Sequence, residues 1–291
     1  FLFIIPILTC FIGISFLADG YTDPFYVRFT TPKQKNFIIG TSRAAQGLQP
    51  EVINKVLNIN IYNYAFTVAR SPFGKVYYES ILKKHNNEKS GIFIIAVNPW
   101  SISSWCENPN NLNQFRENNL CLANTKFVSL NPNLEYLYKN FKGKYSDIII
   151  PPSKKMFLHK NGWLEVKDIP MDSISVNKRI LKTLETFRTN VLPRAKFSQV
   201  RLGYLLQTIK YFKEYGKVYL VRLPIHKSMM EIEDEIMPDF DSVIKNVIEL
   251  SDGYLDLTVK NDDYIYTDGH HIYKSSGKEV SELIANWIKK K

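Results

Sequence analysis

The run "GIFIIAV" at residues 91–97 constrains this chain more than any other stretch. It is apolar at consecutive positions, so both faces of a strand there need cover, as in the centre of a parallel sheet. Weaker strand-like runs stand at "NFIIG" (36–40), "INIYNYAF" (59–66), "KVYLVRLP" (217–224) and "GYLDLT" (253–258). Between them the period changes. "PEVINKVLN" places Val52, Ile53, Val56 and Leu57 at helical spacing, and "SPFGKVYYESILKK" reads as a second helix. In "SQVRLGYLLQTIKYFKEYG", Leu202, Leu205, Leu206 and Ile209 share a face, and Gly216 is placed to stop the helix. Residues 228–250 read as a helix broken near Pro238. A last helix carries Val280, Leu283, Ile284, Trp287 and Ile288 on one side. Strands alternating with helices predict an α/β fold, a three-layer α/β/α sandwich around a five-stranded parallel sheet.

Regularity fades from about 105 to 195, where Asn, Pro and Lys accumulate. This stretch reads as an irregular insertion or cap within one domain spanning 36–291. Cys106 and Cys121 flank a loop-like part of it. They either form a disulfide, worth about 3 kcal/mol for a loop of that size, or stay as two buried thiols. Cys10 lies in the apolar N-terminal run and is expected only to pack. No Cys/His spacing suggests a metal site.

Residues 1–18, "FLFIIPILTCFIGISFLA", carry no charge. Such a stretch approaches the length needed to cross a bilayer core of about 30 Å. It is read as a transmembrane anchor or uncleaved signal, against a buried helix of a soluble domain as the plain alternative. Residues 19–35 read as a polar-aromatic connector. Net charge is +10, but the 38 basic residues are spread along the chain without an arginine stripe or zinc-finger spacing. Nucleic acid is therefore not the expected partner. An anionic membrane surface or envelope polymer accounts for the charge equally well.

A doubly wound sheet presents its ligands beyond the carboxyl ends of its strands. Gly40, Thr41 and Ser42 follow the first strand, Asn98 follows the third, and "TDGHHIY", with Asp268 and His271, follows the fifth. A serine, an amide donor and a histidine with a carboxylate three residues upstream are the parts of an acyl-transfer site. Each has an ordinary reading too. Serine caps helices, Asn-Pro makes turns, and Asp268 can simply open a turn. Their coincidence beyond three strand ends is what points to chemistry.

This order resembles the SGNH/GDSL hydrolase superfamily, over about 36–104 and 198–291. The Gly-Asp-Ser of the first block is Gly40-Thr41-Ser42 here, the oxyanion asparagine corresponds to Asn98, and Asp-x-x-His falls on Asp268 and His271, leaving His270 a bystander. The second block's glycine is replaced, with Val68 or Ala69 at its place. The resemblance implies a flavodoxin-like sheet, with Ser42 as nucleophile, His271 as general base and Asp268 as its orienting carboxylate. It also implies an oxyanion hole from the Ser42 N–H and the Asn98 amide, and no cofactor or metal. "GTSR" after an apolar segment looks most like the membrane-tethered envelope branch, whose relatives modify envelope polymers, sometimes with a membrane acyl-transfer partner. That implies an extracytoplasmic acyl esterase or O-acyltransferase acting on an acylated glycan or other polymer. Arg43, Arg70 and Arg222 stand near strand ends as candidate contacts to an anionic substrate. The competing expectation is an inactive binding or assembly protein that retains the fold, since the first-block aspartate is missing.

Overall fold

A computed structural model describes residues 4–291. Five parallel strands, β1 (Asn36–Ile39), β2 (Ile61–Asn63), β3 (Gly91–Ala96), β4 (Gly216–Arg222) and β5 (Gly253–Asp256), form one sheet in the order β2-β1-β3-β4-β5. β3 lies in the middle and pairs with β1 and β4 along its length. Phe93, Ile94 and Ile95 are fully buried, as a strand covered on both sides requires. The strand order reverses between β1 and β3, the place where such sheets open a crevice at their carboxyl ends.

Helices cover both faces. On one lie α2 (Ser42–Gly47), α3 (Pro50–Leu57) and the C-terminal α8 (Lys274–Lys289); on the other lie α4 (Lys75–Lys84) and α6 (Gln199–Lys213). Val280, Ile284 and Ile288 bury the inner stripe of α8, and Leu202, Leu205 and Ile209 that of α6. The segment after β4 breaks as its proline suggests, into α7 (Lys227–Ile236) and two short helices, Phe240–Val243 and Lys245–Leu250.

Gly216 does not stop α6. It is the first residue of β4, where a Cβ would lie 2.0 Å from the Gly91 carbonyl oxygen. Close approach of two strands, rather than a helix cap, requires glycine there.

The transmembrane helix expected over 1–18 is not seen among the described residues. The helix there, α1, runs Ile4–Ser15, 12 residues or about 18 Å at the α-helical rise. Among the described residues no helix is long and apolar enough to cross a membrane. The chain turns at residues 16–18, and the Ser15 hydroxyl is drawn inward to the Phe11 carbonyl and the Tyr145 hydroxyl. Residues 1–3 of that expectation lie outside the described part. Cys10, expected to pack, is exposed.

Residues 19–35 do more than connect. Tyr26–Phe29 form a buried turn of 3₁₀ helix. The Arg28 guanidinium, fully buried, donates to the carbonyls of Pro24, Asn63 and Gly162. A guanidinium tolerates such burial only with its donors satisfied. The 105–195 insertion also has regular parts: an antiparallel pair at 156–158 and 164–166, and α5 (Ser173–Thr186). Cys106 and Cys121 are not bridged; Cys121 is buried in the core and Cys106 donates to the Asn108 carbonyl.

Candidate active site

Ser42 opens α2 directly beyond β1, and the turn that presents it is held from three sides. Gly40 has φ +147°, a conformation L side chains rarely adopt, and a Cβ there would approach Ala96 Cβ to 2.9 Å. The Gly40 N–H donates to the Tyr77 hydroxyl at 3.1 Å, and its carbonyl accepts from Ser71 Oγ at 2.7 Å. Tyr77 and Ser71 both belong to the segment after β2. The small polar turn is thereby fixed before any ligand arrives.

The structure brings Ser42, His271 and Asp268 together. Ser42 Oγ lies 2.8 Å from His271 Nε2, and His271 Nδ1 lies 2.9 Å from Asp268 Oδ2. A carboxylate facing Nδ1 fixes the proton there, so Nε2 accepts from the serine hydroxyl. Asp268 is itself held by the His270 and His271 N–H groups, at 3.0 and 2.8 Å to Oδ1. Burial alone would raise its pKa. The His271 charge and hydrogen bond, with His270 and the backbone N–H, outweigh burial and hold the carboxyl well below the usual range. Ser42 is 8% exposed, so its hydroxyl is sheltered yet reachable.

His270 is more than a surface neighbour. It is buried, with its ring 4.8 Å from Phe187 and 4.8 Å from His271. Burial, then the nearby Arg43 charge, push its imidazole well below the ordinary histidine range, so it stays neutral near pH 7.

Asn98 is buried beside the nucleophile turn. Its Oδ1 accepts from the Ser101 N–H at 3.1 Å, and its Nδ2 reaches Thr41 Oγ1 at 3.4 Å. The amide is thus oriented with its nitrogen toward the turn, and its second N–H is left for another acceptor. The second-block loop makes a turn in which the Arg70 and Ser71 N–H groups both donate to the Thr67 carbonyl at 2.8 Å. Val68 and Ala69 keep negative φ within it, so the missing glycine is not demanded by backbone conformation.

Of the three arginines, Arg43 and Arg222 are buried and Arg70 lines a cavity. Arg43 is 3% exposed and bonded to Glu233, itself fully buried on α7. Arg222 is also buried, with Nη2 3.8 Å from the same carboxylate and Nη1 3.7 Å from both Asp241 and Asp256. They form an ion network under the site. Arg70 lies over the Phe25 ring at 4.0 Å, beside the cavity that holds Asp23. Residue order along the strand ends could not tell an inward guanidinium from an outward one.

Sequence reasoning missed Ser71, Tyr77 and Glu233. The first two carry no local signal. Glu233 did have one, since it falls in the stripe formed by Met229, Ile232 and Ile236, where a carboxylate needs a buried partner. The insertion also meets the site. Trp163 Nε1 donates to the Gln46 carbonyl at 2.8 Å, and Arg179 Nε to the Thr267 carbonyl at 2.7 Å.

No family model matches this sequence, and no curated protein matches it. Among solved structures, the chain is similar to the inhibitor-bound aryl esterase of M. Smegmatis, at 9% identity and TM-score 0.38, over 88% of this chain and 99% of that one. It is also similar to an acetyl xylan esterase of the rumen bacterium Butyrivibrio proteoclasticus, at 7% identity and TM-score 0.32. That match covers 90% of this chain and 64% of the other.

Proposed function

We propose that the protein is a serine-dependent acyl esterase or O-acyltransferase of SGNH type. One observation carries the reading: a continuous line from Ser42 Oγ through the His271 imidazole to the Asp268 carboxylate, at 2.8 and 2.9 Å, at the carboxyl edge of a parallel sheet. Ser42 attacks the ester carbonyl while its proton passes to His271 Nε2. Asp268 keeps the ring in the accepting tautomer and stabilises the imidazolium. The oxyanion takes N–H bonds from the Ser42 backbone and the Asn98 amide. Collapse expels the alcohol, which leaves with the proton from His271, and the acyl group remains on Ser42. Water restores the free serine in an esterase, a sugar hydroxyl in a transferase. Either acceptor gives its proton to His271.

The same reading puts the catalytic face outside the cytoplasmic membrane, acting on an acylated envelope glycan or polymer. A transferase would take its acyl group from a membrane partner. What supports a membrane-proximal position is apolar exposure: Phe11 and Ile12 of α1 are exposed, with Leu134 and Tyr138 across a shared cavity, and Phe16 just after the helix, Ile149 and Ile150 are exposed too. Lys139, Lys142 and Lys144 border it in the sequence. Apolar chains fringed by lysines suit an anionic bilayer surface.

A fluorophosphonate probe tests the serine reading. We expect one adduct, located on Ser42 by mass spectrometry, that is absent in Ser42→Ala and suppressed in His271→Ala. A folded protein that takes up no probe would favour the inactive binding protein instead.

A further inference from the structure

On the far side of the 67–72 loop from the nucleophile turn lies a cavity of about 360 Å³, within the range of small-ligand sites. Val68 and Pro72 of that loop form one wall. Val68 also packs on the cluster of Trp100 and Phe187, and Phe187 touches His270. A line of packed side chains, Val68, the Trp100 cluster and Phe187, thus connects the cavity wall to His270, the neighbour of His271.

Three guanidinium groups line this cavity, and their circumstances differ. Arg201 is buried and spent: both its terminal nitrogens bond Glu117, and Nε donates to Ser104 Oγ. Arg116 and Arg194 are exposed and, among the described residues, neither has a carboxylate within ion-pair distance. The Arg116 guanidinium carbon lies over the Trp105 ring at 3.8 Å, and that of Arg194 approaches the same ring at 5.7 Å. Stacking orders a guanidinium while leaving its N–H edge free for an oxyanion. Arg194 is further held by Nε donating to the Asn190 carbonyl at 2.6 Å, which leaves its terminal nitrogens open. Two pre-ordered guanidiniums outside any ion pair, beside an aromatic ring in a cavity of ligand size, make a receptor for an anionic group.

We propose that this cavity is a substrate subsite that takes an oxyanion-bearing sugar unit, a carboxylate or phosphate, of the polymer whose acyl ester reaches Ser42. The assignment rests on the serine acyl-transfer reading for its substrate, though its geometry is independent of Ser42. Arg116 and Arg194 clamp the anion, and Val68 with Pro72 offers the sugar an apolar wall.

Binding is measured by calorimetry on the full chain carrying Ser42→Ala, so that turnover plays no part. The probes are an oligogalacturonate, a phosphorylated xylo-oligosaccharide and a neutral xylo-oligosaccharide. We expect one of the two anionic probes to bind at least tenfold tighter than the neutral one; which of them does so identifies carboxylate or phosphate. Arg116→Gln and Arg194→Gln, both at exposed positions, should each weaken that probe by about tenfold, the worth of a charge-assisted contact. Lys217→Gln, at the amino end of β4, should leave it unchanged. Equal affinity for neutral and anionic probes, or no measurable binding of any, overturns the proposal. So does an anionic preference that Lys217→Gln weakens as much as the arginine variants. A positive result here beside no fluorophosphonate adduct on Ser42 would leave the subsite standing and remove the catalytic reading; the reverse pairing would do the opposite.

Discussion

Ser42 and His271 are separated by 229 residues of chain and by 2.8 Å in space. Nothing local draws them together. The meeting is a product of the sheet: Ser42 follows β1, His271 precedes α8, and α8 packs along α2 and α3. The pairing of this serine with a histidine is therefore a property of the whole fold.

Asp268→Asn should reduce the rate of fluorophosphonate labelling by about 10⁴-fold with little change in fold, because the amide no longer fixes the accepting tautomer. Its acid behaviour gives a second readout. The folded carboxyl is held below its unfolded value of about 3.9. Its stabilisation is thus complete above that pH and lost as pH falls toward the folded value. Urea midpoints of parent and variant should converge as the pH is lowered below about 4.

Glu233→Gln should destabilise the protein by about 3–5 kcal/mol, since it leaves the buried Arg43 charge without its bonded carboxylate. The double variant Arg43→Met, Glu233→Met removes both charges and should recover much of that loss. Urea unfolding of the three proteins decides it. A double variant no better than Glu233→Gln would show that the pair does not act as a unit.

Gly40→Ala should cost roughly 1–3 kcal/mol, through the φ of +147° and the approach to Ala96. It should also slow probe labelling more than its stability loss explains, because Ser42 is two residues away. Urea unfolding and labelling rates of the same preparation separate the two effects.

Lys84 is fully buried, with its ammonium bonded to the carbonyls of Thr31 and Val128, and burial pushes its pKa down to about 7. The unfolded lysine titrates near 10.4. Between these values the unfolded chain holds the extra proton, so this residue makes stability rise with pH, by at most about 1.4 kcal/mol per unit. Lys84→Met should remove that rise. Unfolding at pH 7, 8 and 9 for both proteins measures it.

Phe11→Glu with Ile150→Glu should abolish sedimentation with anionic vesicles while leaving probe labelling of Ser42 intact, if the exposed apolar face meets the bilayer. Retained sedimentation would exclude these side chains as the contact.

The sheet was legible in the sequence because its signal is short-range: "GIFIIAV" needs cover on both faces whatever surrounds it. The meeting of Ser42, His271 and Asp268 was legible for a different reason. Strand ends in a parallel sheet converge on one edge, so a serine, an asparagine and an Asp-x-x-His at such ends are brought toward each other by topology. The burial of Arg43 was not legible, because whether it points into the crevice or beneath it depends on Glu233, 190 residues away. Nor was the limit of α1. The hydropathy of residues 1–18 is continuous, but the Ser15 hydroxyl finds Tyr145 and the helix ends there.

One cross-link bears on reach. Arg28 ties the segment after α1 to β2 through Asn63 and to the 156–166 pair through Gly162. Seventeen residues that could have served as a leash are instead a rigid bracket. Ser42 is therefore carried at a set distance from α1, and an ester substrate of the proposed reaction would be selected by where it stands as well as by what it is.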